Sequence, residues 1–387
     1  MNRDVKRALI ATFIARTAAN AALRVVYPFL PAIARGLDVT PSALSSLIAL
    51  RYVGGLFTPV VARISERRGR RWMMLAAMVA VTACCVLTSA TSIFVVAGIG
   101  IVLVGLAKQA FDIPMQAWFG DRVPYAERGR VFGITELTWS IALLAVVPVS
   151  GFLIEATSWR APFVIVSVLA AIGTVAIAKG IDSDRPHEHV ARKLELTGPI
   201  VRVLAGALLF IVAAESPFVV YGQWLEESFG LSVAGIGVFT IVVVVAELAG
   251  EGLVAVYADR WGLRRMVLGG LAVSAVAYLA FSITGSTLLL AALVVIVWIA
   301  SFEVTIVAAI PFASEMAVGA RERLLSLFAV MIALGRAIGA IAAQPLYSAG
   351  GIGLVGFVSA GCVAAAIVLL LAVKEHDTAV PEVFRPS

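Results

Sequence analysis

Charge is scarce in this sequence. Only 14% of its 387 residues are Asp, Glu, Lys or Arg, and 61% are hydrophobic. A soluble domain averages about 25% charged residues. The deficit runs along the whole chain, which excludes a water-soluble domain carrying one anchor. Histidine and cysteine are scarcer still, at three each. Cys84 and Cys85 are adjacent and Cys362 is remote, so there is neither a disulfide framework nor metal-ligand spacing. They read as buried thiols. The histidines, His187, His189 and His376, all fall in polar segments rather than apolar ones. Without an interior histidine, a metal pattern or a nucleotide-binding loop, the chain is not read as an enzyme. Neither a cofactor nor a metal is expected.

What is present is a series of long apolar runs. A spanning helix needs about 20 mostly apolar residues. Twelve such stretches are read at 8–30, 43–62, 73–91, 93–117, 132–154, 161–178, 201–223, 233–256, 266–284, 287–310, 324–346 and 352–373. Each is too long for a barrel strand, and inside lipid helices are then the remaining way to satisfy the backbone. The start outlines a signal peptide, but the apolar run is longer than a signal core, contains Arg16 and Arg24, and lacks a small-residue cleavage site. It is expected to be a retained first helix.

The basic residues are distributed unevenly. Arg35 and Arg160 alone fall in the loops of one side, and Arg16, Arg24, Arg51, Lys108 and Arg336 fall inside spans. All the others lie on the side of the termini, which the positive-inside rule makes cytoplasmic, as in a multi-pass protein of the plasma (inner) membrane. That arrangement accounts for the net charge of +6 through contact with anionic headgroups. Nucleic acid is not needed as a partner.

Self-comparison shows a duplication. Glu66-Arg67-Arg68-Gly69-Arg70-Arg71-Trp72-Met73 recurs as Asp259-Arg260-Trp261-Gly262-Leu263-Arg264-Arg265-Met266. At the same offset Arg128 and Arg130 map onto Arg321 and Arg323, and Phe119 onto Phe312. The expected architecture is all-α and integral to the membrane: twelve transmembrane helices in two pseudo-symmetric six-helix bundles. The bundles are expected at 1–180 and 201–387, the second including a short tail, with a cytoplasmic linker at 181–200. Parallel repeats suit alternating access around a site at mid-membrane.

The acid-Arg-x-Gly-x-Arg loop between spans 2 and 3, with its echo between spans 8 and 9, resembles the major facilitator superfamily. So do Asp121-Arg122-Val123-Pro124 with Arg128-Gly129-Arg130 after span 4, and Trp159-Arg160-Ala161-Pro162-Phe163 before span 6. The resemblance covers essentially the whole chain. It implies that Glu66, Arg67, Gly69 and Arg71, and in the second copy Asp259, Arg260, Gly262 and Arg264, form a gating loop. There an acid seated at a neighbouring helix N-terminus latches the cytoplasmic side. Glu66 stands where the family usually has Asp, and Ala62 and Ala255 where it often has Gly. The helix-5 signature of drug/proton antiporters is reduced to Pro148 and Gly151, so that motif does not argue for antiport.

Eleven ionisable residues lie well within spans: Arg16, Arg24, Arg51, Lys108, Asp112, Glu136, Glu215, Glu247, Glu251, Glu303 and Arg336. None lies on spans 3, 6, 9 or 12, which the resemblance makes the outer helices. Each mid-membrane charge facing lipid costs roughly 2.5–3.5 kcal/mol on insertion scales, so these charges pair or face water. Arg16, Asn20 and Arg24 recur at intervals of four on one helical face. Together the eleven and Asn20 are the candidate substrate or proton pathway. Lys108 with Asp112, and Arg336 with Glu251 or Glu303, would serve as structural pairs. With no histidine in a span, proton coupling falls to carboxylates lacking a nearby cation. Glu215, Glu247 and Glu303 have no basic residue within one turn of their own helix, and the last two lie nearest mid-depth.

The sequence reading is therefore a secondary active transporter moving a small organic solute by alternating access, as a proton-coupled exporter. Its partners are a small-molecule substrate, protons and the lipid bilayer, and it is expected to be a monomer. An uptake symporter or uniporter for a polar metabolite, and a membrane receptor or scaffold, stay open as alternatives.

Overall fold

The computed structural model describes residues 3–182, 194–285, 287–317 and 321–373. It does not describe the side chains of Leu56, Thr58, Pro59, Ala62, Glu66, Tyr125, Ala126, Arg128, Gly129, Phe132, Arg321 and Glu322. The three histidines, the middle of the expected linker and the Glu66 carboxylate therefore lie outside the described residues.

Helices are the only regular structure among the described residues. They are α1 (Arg3–Arg24), α2 (Leu30–Gly36), α3 (Pro41–Val53), α4 (Thr58–Arg68), α5 (Arg70–Ala90), α6 (Phe94–Arg122) and α7 (Tyr125–Ile141). There follow α8 (Val147–Ala156), α9 (Ala161–Gly180), α10 (Gly198–Phe229), α11 (Val233–Trp261), α12 (Leu263–Ala280), α13 (Leu288–Glu315) and α14 (Arg321–Leu371). Among the described residues nine stretches are long and apolar enough to cross a bilayer. The last of these is two helices joined at Gly350 and Gly351, where Gly351 takes φ 62°. The pairs α1–α2 and α3–α4 supply two broken crossings. The described residues thereby accommodate twelve.

The breaks have local causes that hydropathy does not carry. The first expected span is not one helix: α1 stops at Arg24 and α2 resumes at Leu30. Pro28 lacks an N–H, and its ring excludes the Arg24 carbonyl from a regular bond. The second is interrupted by a 3₁₀ turn at Gly54–Phe57, just before Pro59. The fifth contains a π-helical turn at Ala142–Val146, just ahead of Pro148. Pro217 lies inside α10, where it deprives the Ala213 carbonyl of its helical donor. The Ser359 hydroxyl donates to that oxygen at 2.8 Å instead.

Contacts divide the chain into two compact units, Met1–Glu188 with Tyr221–Val244, and His189–Val220 with Val245–Ser387. In the first, α5 packs on α6 and α9, and α1 on α9, α7 and α6. In the second, α12 packs on α13 and α14. Large apolar side chains such as Val79, Ile172, Val276 and Val368 point outward. An apolar exterior is what a bilayer selects.

The duplication reappears as corresponding geometry. Gly69 and Gly262 both take positive φ, 92° and 80°. Each N–H closes the preceding helix, on Ser65 O and on Ala258 O, at 2.9 Å in both cases. Arg71 donates to Ala178 O at 2.6 Å, and Arg264 donates to Leu371 O at 3.5 Å. Both partners of the second bond follow those of the first at the offset of the sequence repeat.

Glycine sets how closely these helices approach. A Cβ on Gly270 of α12 would lie 3.1 Å from Ser301 O on α13, whereas one on neighbouring Gly269 would meet nothing within 4 Å. Gly270→Val should therefore destabilise the purified protein by about 1–3 kcal/mol, the usual cost of overpacking. Gly269→Val should leave it nearly unchanged. Paired thermal unfolding in detergent checks the contrast.

Candidate functional site

The first unit buries a four-charge cluster. Arg16 sits on the face of α1 turned toward α6 and α7 and is 3% exposed. Its Nε donates to Asp112 Oδ1 at 3.1 Å, and its Nη1 reaches Glu136 Oε1 at 2.9 Å and Thr135 O at 2.6 Å. Lys108, one turn before Asp112 on α6, pairs with the other Asp112 oxygen. Two cations and two carboxylates cancel, which is what low dielectric requires. Asp112, Lys108 and Arg16 are buried, whereas the Glu136 side chain is half exposed. The cluster is thus closed on the α6 side and open at Glu136.

Polar and aromatic groups extend it. Asn20, one turn beyond Arg16, donates to Thr138 Oγ1 at 2.9 Å. Trp139 receives the Lys108 ammonium at 4.6 Å and the Arg24 guanidinium at 4.8 Å from its ring centroid. Cations over an indole face are attracted by its quadrupole. On α1, Asn20 Oδ1 and Thr12 Oγ1 are buried without a hydrogen-bond partner among the described residues. Buried polar atoms are normally satisfied, so these two are the spare hydrogen-bonding capacity on either side of Arg16. The π turn starts three residues after Trp139, and such turns favour functional sites.

Arg51 has a setting that sequence did not suggest. It is 1% exposed and donates to Leu23 O at 3.2 Å and to the hydroxyls of Tyr27 and Tyr52 at 3.1 and 3.4 Å. Its guanidinium also lies over both rings, and the two hydroxyls bond each other. Tyr27, in the turn between α1 and α2, meets Tyr52 of α3, a pairing that no sequence spacing reports.

In the second unit Glu215 is 1% exposed and takes Arg336 as its ion partner at 2.8 Å. Sequence spacing did not suggest this pairing, which follows from the flanking glycines on α14. A Cβ on Gly335 would lie 2.8 Å from Leu208 O, and one on Gly339 would lie 2.7 Å from Glu215 Cβ, so α10 and α14 touch where Arg336 projects. Glu247 is buried, and Glu251 and Glu303 are half-buried. A Cβ on Gly250 would lie 2.7 Å from Glu303 Cβ, which sets Glu303 of α13 against the α11 turn between Glu247 and Glu251.

Beside these acids is an aromatic cluster that sequence reasoning missed. Phe210 stacks on Phe302 at 5.2 Å, and Phe218 contacts Trp298 at 4.6 Å and Phe302 at 5.8 Å. Trp298 Nε1 donates to Tyr278 at 3.1 Å. Phe218 is one turn from Glu215 on α10, and Phe302 adjoins Glu303. The spacing Trp298–Phe302 was the available signal, but such stripes belong to cores as often as to sites.

The loop candidates separate. Arg67, Asp259 and Arg260 are exposed, while Arg71 and Arg264 are half-buried on the helix ends given above. The missed residue is Arg70. It is 9% exposed and binds Asp121 Oδ2 at 2.7 Å and Ala117 O at 3.2 Å. In the second copy the corresponding positions are Leu263 and Ser314, so that ion pair is not repeated.

Paired charges enclosed within apolar crossing helices, on a duplicated scaffold with basic loops, define a multi-pass membrane transport protein. The chain belongs to the Major Facilitator Superfamily, whose model matches residues 8–214 and again 203–386. It is a transporter of that superfamily. Over 144 residues it is 33% identical to the uncharacterized MFS-type transporter YwfA of Bacillus subtilis (strain 168), covering 36% of this chain and 34% of that protein. That match thus spans about a third of the relative's length. It is 25% identical to the class C tetracycline resistance protein of Escherichia coli over 67% of this chain and 70% of that one. Among solved structures, a D-xylose-proton symporter superposes with TM-score 0.77 at 15% identity, over 96% of this chain and 98% of that one. The nucleoside transporter NupG superposes with TM-score 0.77 at 12% identity, over 96% and 99%. At such identities the structural likeness establishes the fold alone.

The charge balance makes a specific demand on mutants. Asp112→Asn leaves Lys108 and Arg16 facing one acid, and breaking a buried pair costs about 3–5 kcal/mol. Adding Lys108→Gln restores neutrality, so the double variant should be more stable than Asp112→Asn alone. A thermal or denaturant double-mutant cycle in detergent reads this directly.

Proposed function

We propose that the chain exports a small organic solute in exchange for protons, by alternating access of two six-helix bundles, 1–180 and 201–387, joined by the 181–200 linker. It acts as a monomer in the plasma membrane with both termini cytoplasmic. The observation that carries this reading is the enclosed interior charge: a neutral four-residue cluster in one unit and the Glu215–Arg336 pair in the other. Charges kept inside a membrane at such cost mark solute and proton pathways. The basic bias of the loops supports the orientation. Likeness to a tetracycline resistance protein along two thirds of the chain supports outward transport of an organic molecule.

Within that reading the twelve interior polar residues named from sequence are the pathway, and the two loop copies gate its cytoplasmic end. Coupling belongs to carboxylates that can exchange a proton during the cycle. Glu215 pairs with Arg336 in this state. Glu247 and Glu303, nearest mid-depth and without a basic residue within one turn of their own helix, are the leading proton carriers, followed by Glu215. The exposed face of Glu136, beside Trp139 and the spare Asn20 oxygen, offers a polar contact to solute.

Proteoliposomes with an imposed pH gradient test the proposal. Wild-type protein should accumulate a tetracycline-like or other organic solute only with the gradient oriented for exchange. Glu247→Gln or Glu303→Gln should lower gradient-driven accumulation at least about tenfold while leaving solute exchange largely intact, the pattern expected when only the coupled step is lost. Full gradient-driven transport by both variants and by Glu215→Gln would overturn proton coupling through this set.

A further inference from the structure

The end of the first unit that carries Arg35 and Arg160 holds contacts the transport reading has not used. Residues 221–244, the tip of the α10–α11 hairpin, pack there with the helices of the first half. The hairpin turns tightly at Gly230, φ 63°, whose N–H closes on Glu226 O at 3.0 Å. Glu155, on the last turn of α8, places Oε2 2.9 Å from the Ala234 amide, in the first turn of α11. The first amides of a helix have no internal acceptor, and the helix dipole favours an anion there. On the other side of the hairpin Arg35 pairs with Glu226 at 2.8 Å, with the arginine 59% and the glutamate 31% exposed.

Between these polar contacts the backbones touch. A Cβ on Gly151 would lie 2.9 Å from Val233 O, and one on Gly237 would lie 3.3 Å from Pro148 Cα. Close-packed backbone fixes shape but carries no charge. The two polar contacts are at the water-exposed rim, where ion pairs add little stability and form and break readily. Contacts of that kind suit a reversible closure better than a permanent one. Pro217, four residues before the division at Tyr221, gives α10 a weakened turn at the base of the segment.

We propose that Glu155 on the α11 N-terminus and the Arg35–Glu226 ion pair form an outer-side electrostatic latch, which holds the 221–244 hairpin closed and releases it when the outside opens. This rests on the alternating-access reading and adds the residues that gate the outer end. Glu155 and Arg35 are exposed and Glu226 is half-buried at the rim, so their variants should fold.

The test uses the full chain with Cys84, Cys85 and Cys362 replaced by serine and a reporter cysteine at Thr240, which is buried in this state. A membrane-impermeant maleimide is applied from outside the proteoliposome. Glu155→Ala, Arg35→Glu and Glu226→Arg should each raise the labelling rate severalfold, and Arg35→Glu combined with Glu226→Arg should bring it back toward wild type. Unchanged labelling in all three single variants, or no rescue by the exchanged pair, overturns the latch. Solute flux measured in the same vesicles separates the two levels. Normal flux with unchanged labelling removes the latch and leaves the transporter reading standing, whereas increased, rescuable labelling without any gradient-driven flux supports the latch and removes the proton-coupled reading.

Discussion

Hydrocarbon does not solvate ions, and the interior of this protein is arranged around that constraint. Arg16, Lys108, Asp112 and Glu136 come from three helices and sum to zero charge, and each is held by at least one of the others. Such a cluster does more than avoid a penalty. Because removing any member strands another, it fixes the rotation and depth of α1 against α6 and α7. Glu215 and Arg336 do the same for α10 and α14 in the second unit. The indole of Trp139 lies against both the Lys108 ammonium and the Arg24 guanidinium, and its face attracts each cation.

The duplication has preserved scaffold and diversified chemistry. The glycine turn that ends one helix and starts the next is retained in both copies, as is the arginine that ties the following helix to a helix end 107 residues onward. The interior has diverged. Positions equivalent to Lys108 and Asp112 are Ser301 and Thr305, whose hydroxyls bond Ser274 and the Ser301 carbonyl. The ion pair of Arg70 with Asp121 survives in one copy only. On the proposed alternating-access reading, two similar bundles serve the rocking, and a solute pathway needs its charges in particular places rather than in symmetric ones.

Apart from the continuous α11, the crossings that carry charge are also the ones whose helices are interrupted. Turns at 25–29 and 54–57, the π turn at 142–146, and prolines within α6, α10, α13 and the first part of α14 all lie on charged crossings. The uncharged crossings α5 and α9 are single, proline-free helices apart from Pro162 in the first turn of α9, where proline costs little. Freed carbonyls are tolerable only where a side chain or water can reach them, as Ser359 reaches Ala213. Deformability and polarity therefore largely share one set of helices, as the proposed pathway would require.

The sequence by itself determined the properties that act locally along the chain. Apolar run length gave the crossings because each backbone must be satisfied within its own helix. The recurring Gly69 and Gly262 motif gave the duplication. Four-residue spacing gave the Lys108–Asp112 pair and the Arg16–Asn20 face. Only the tertiary structure decided partnerships between helices. Arg336 meets Glu215 across 121 residues because Gly335 and Gly339 bring α14 against α10, and no spacing rule reports that approach. Arg51 is enclosed by two tyrosines, Arg70 rather than Arg71 reaches Asp121, and Phe210, Phe218, Trp298 and Phe302 meet across helices. Burial and backbone hydrogen bonding are summed residue by residue, so a one-dimensional pattern records them. Ion pairs and ring contacts depend on distances set by the packing of several helices at once, and those distances exist only in the folded chain.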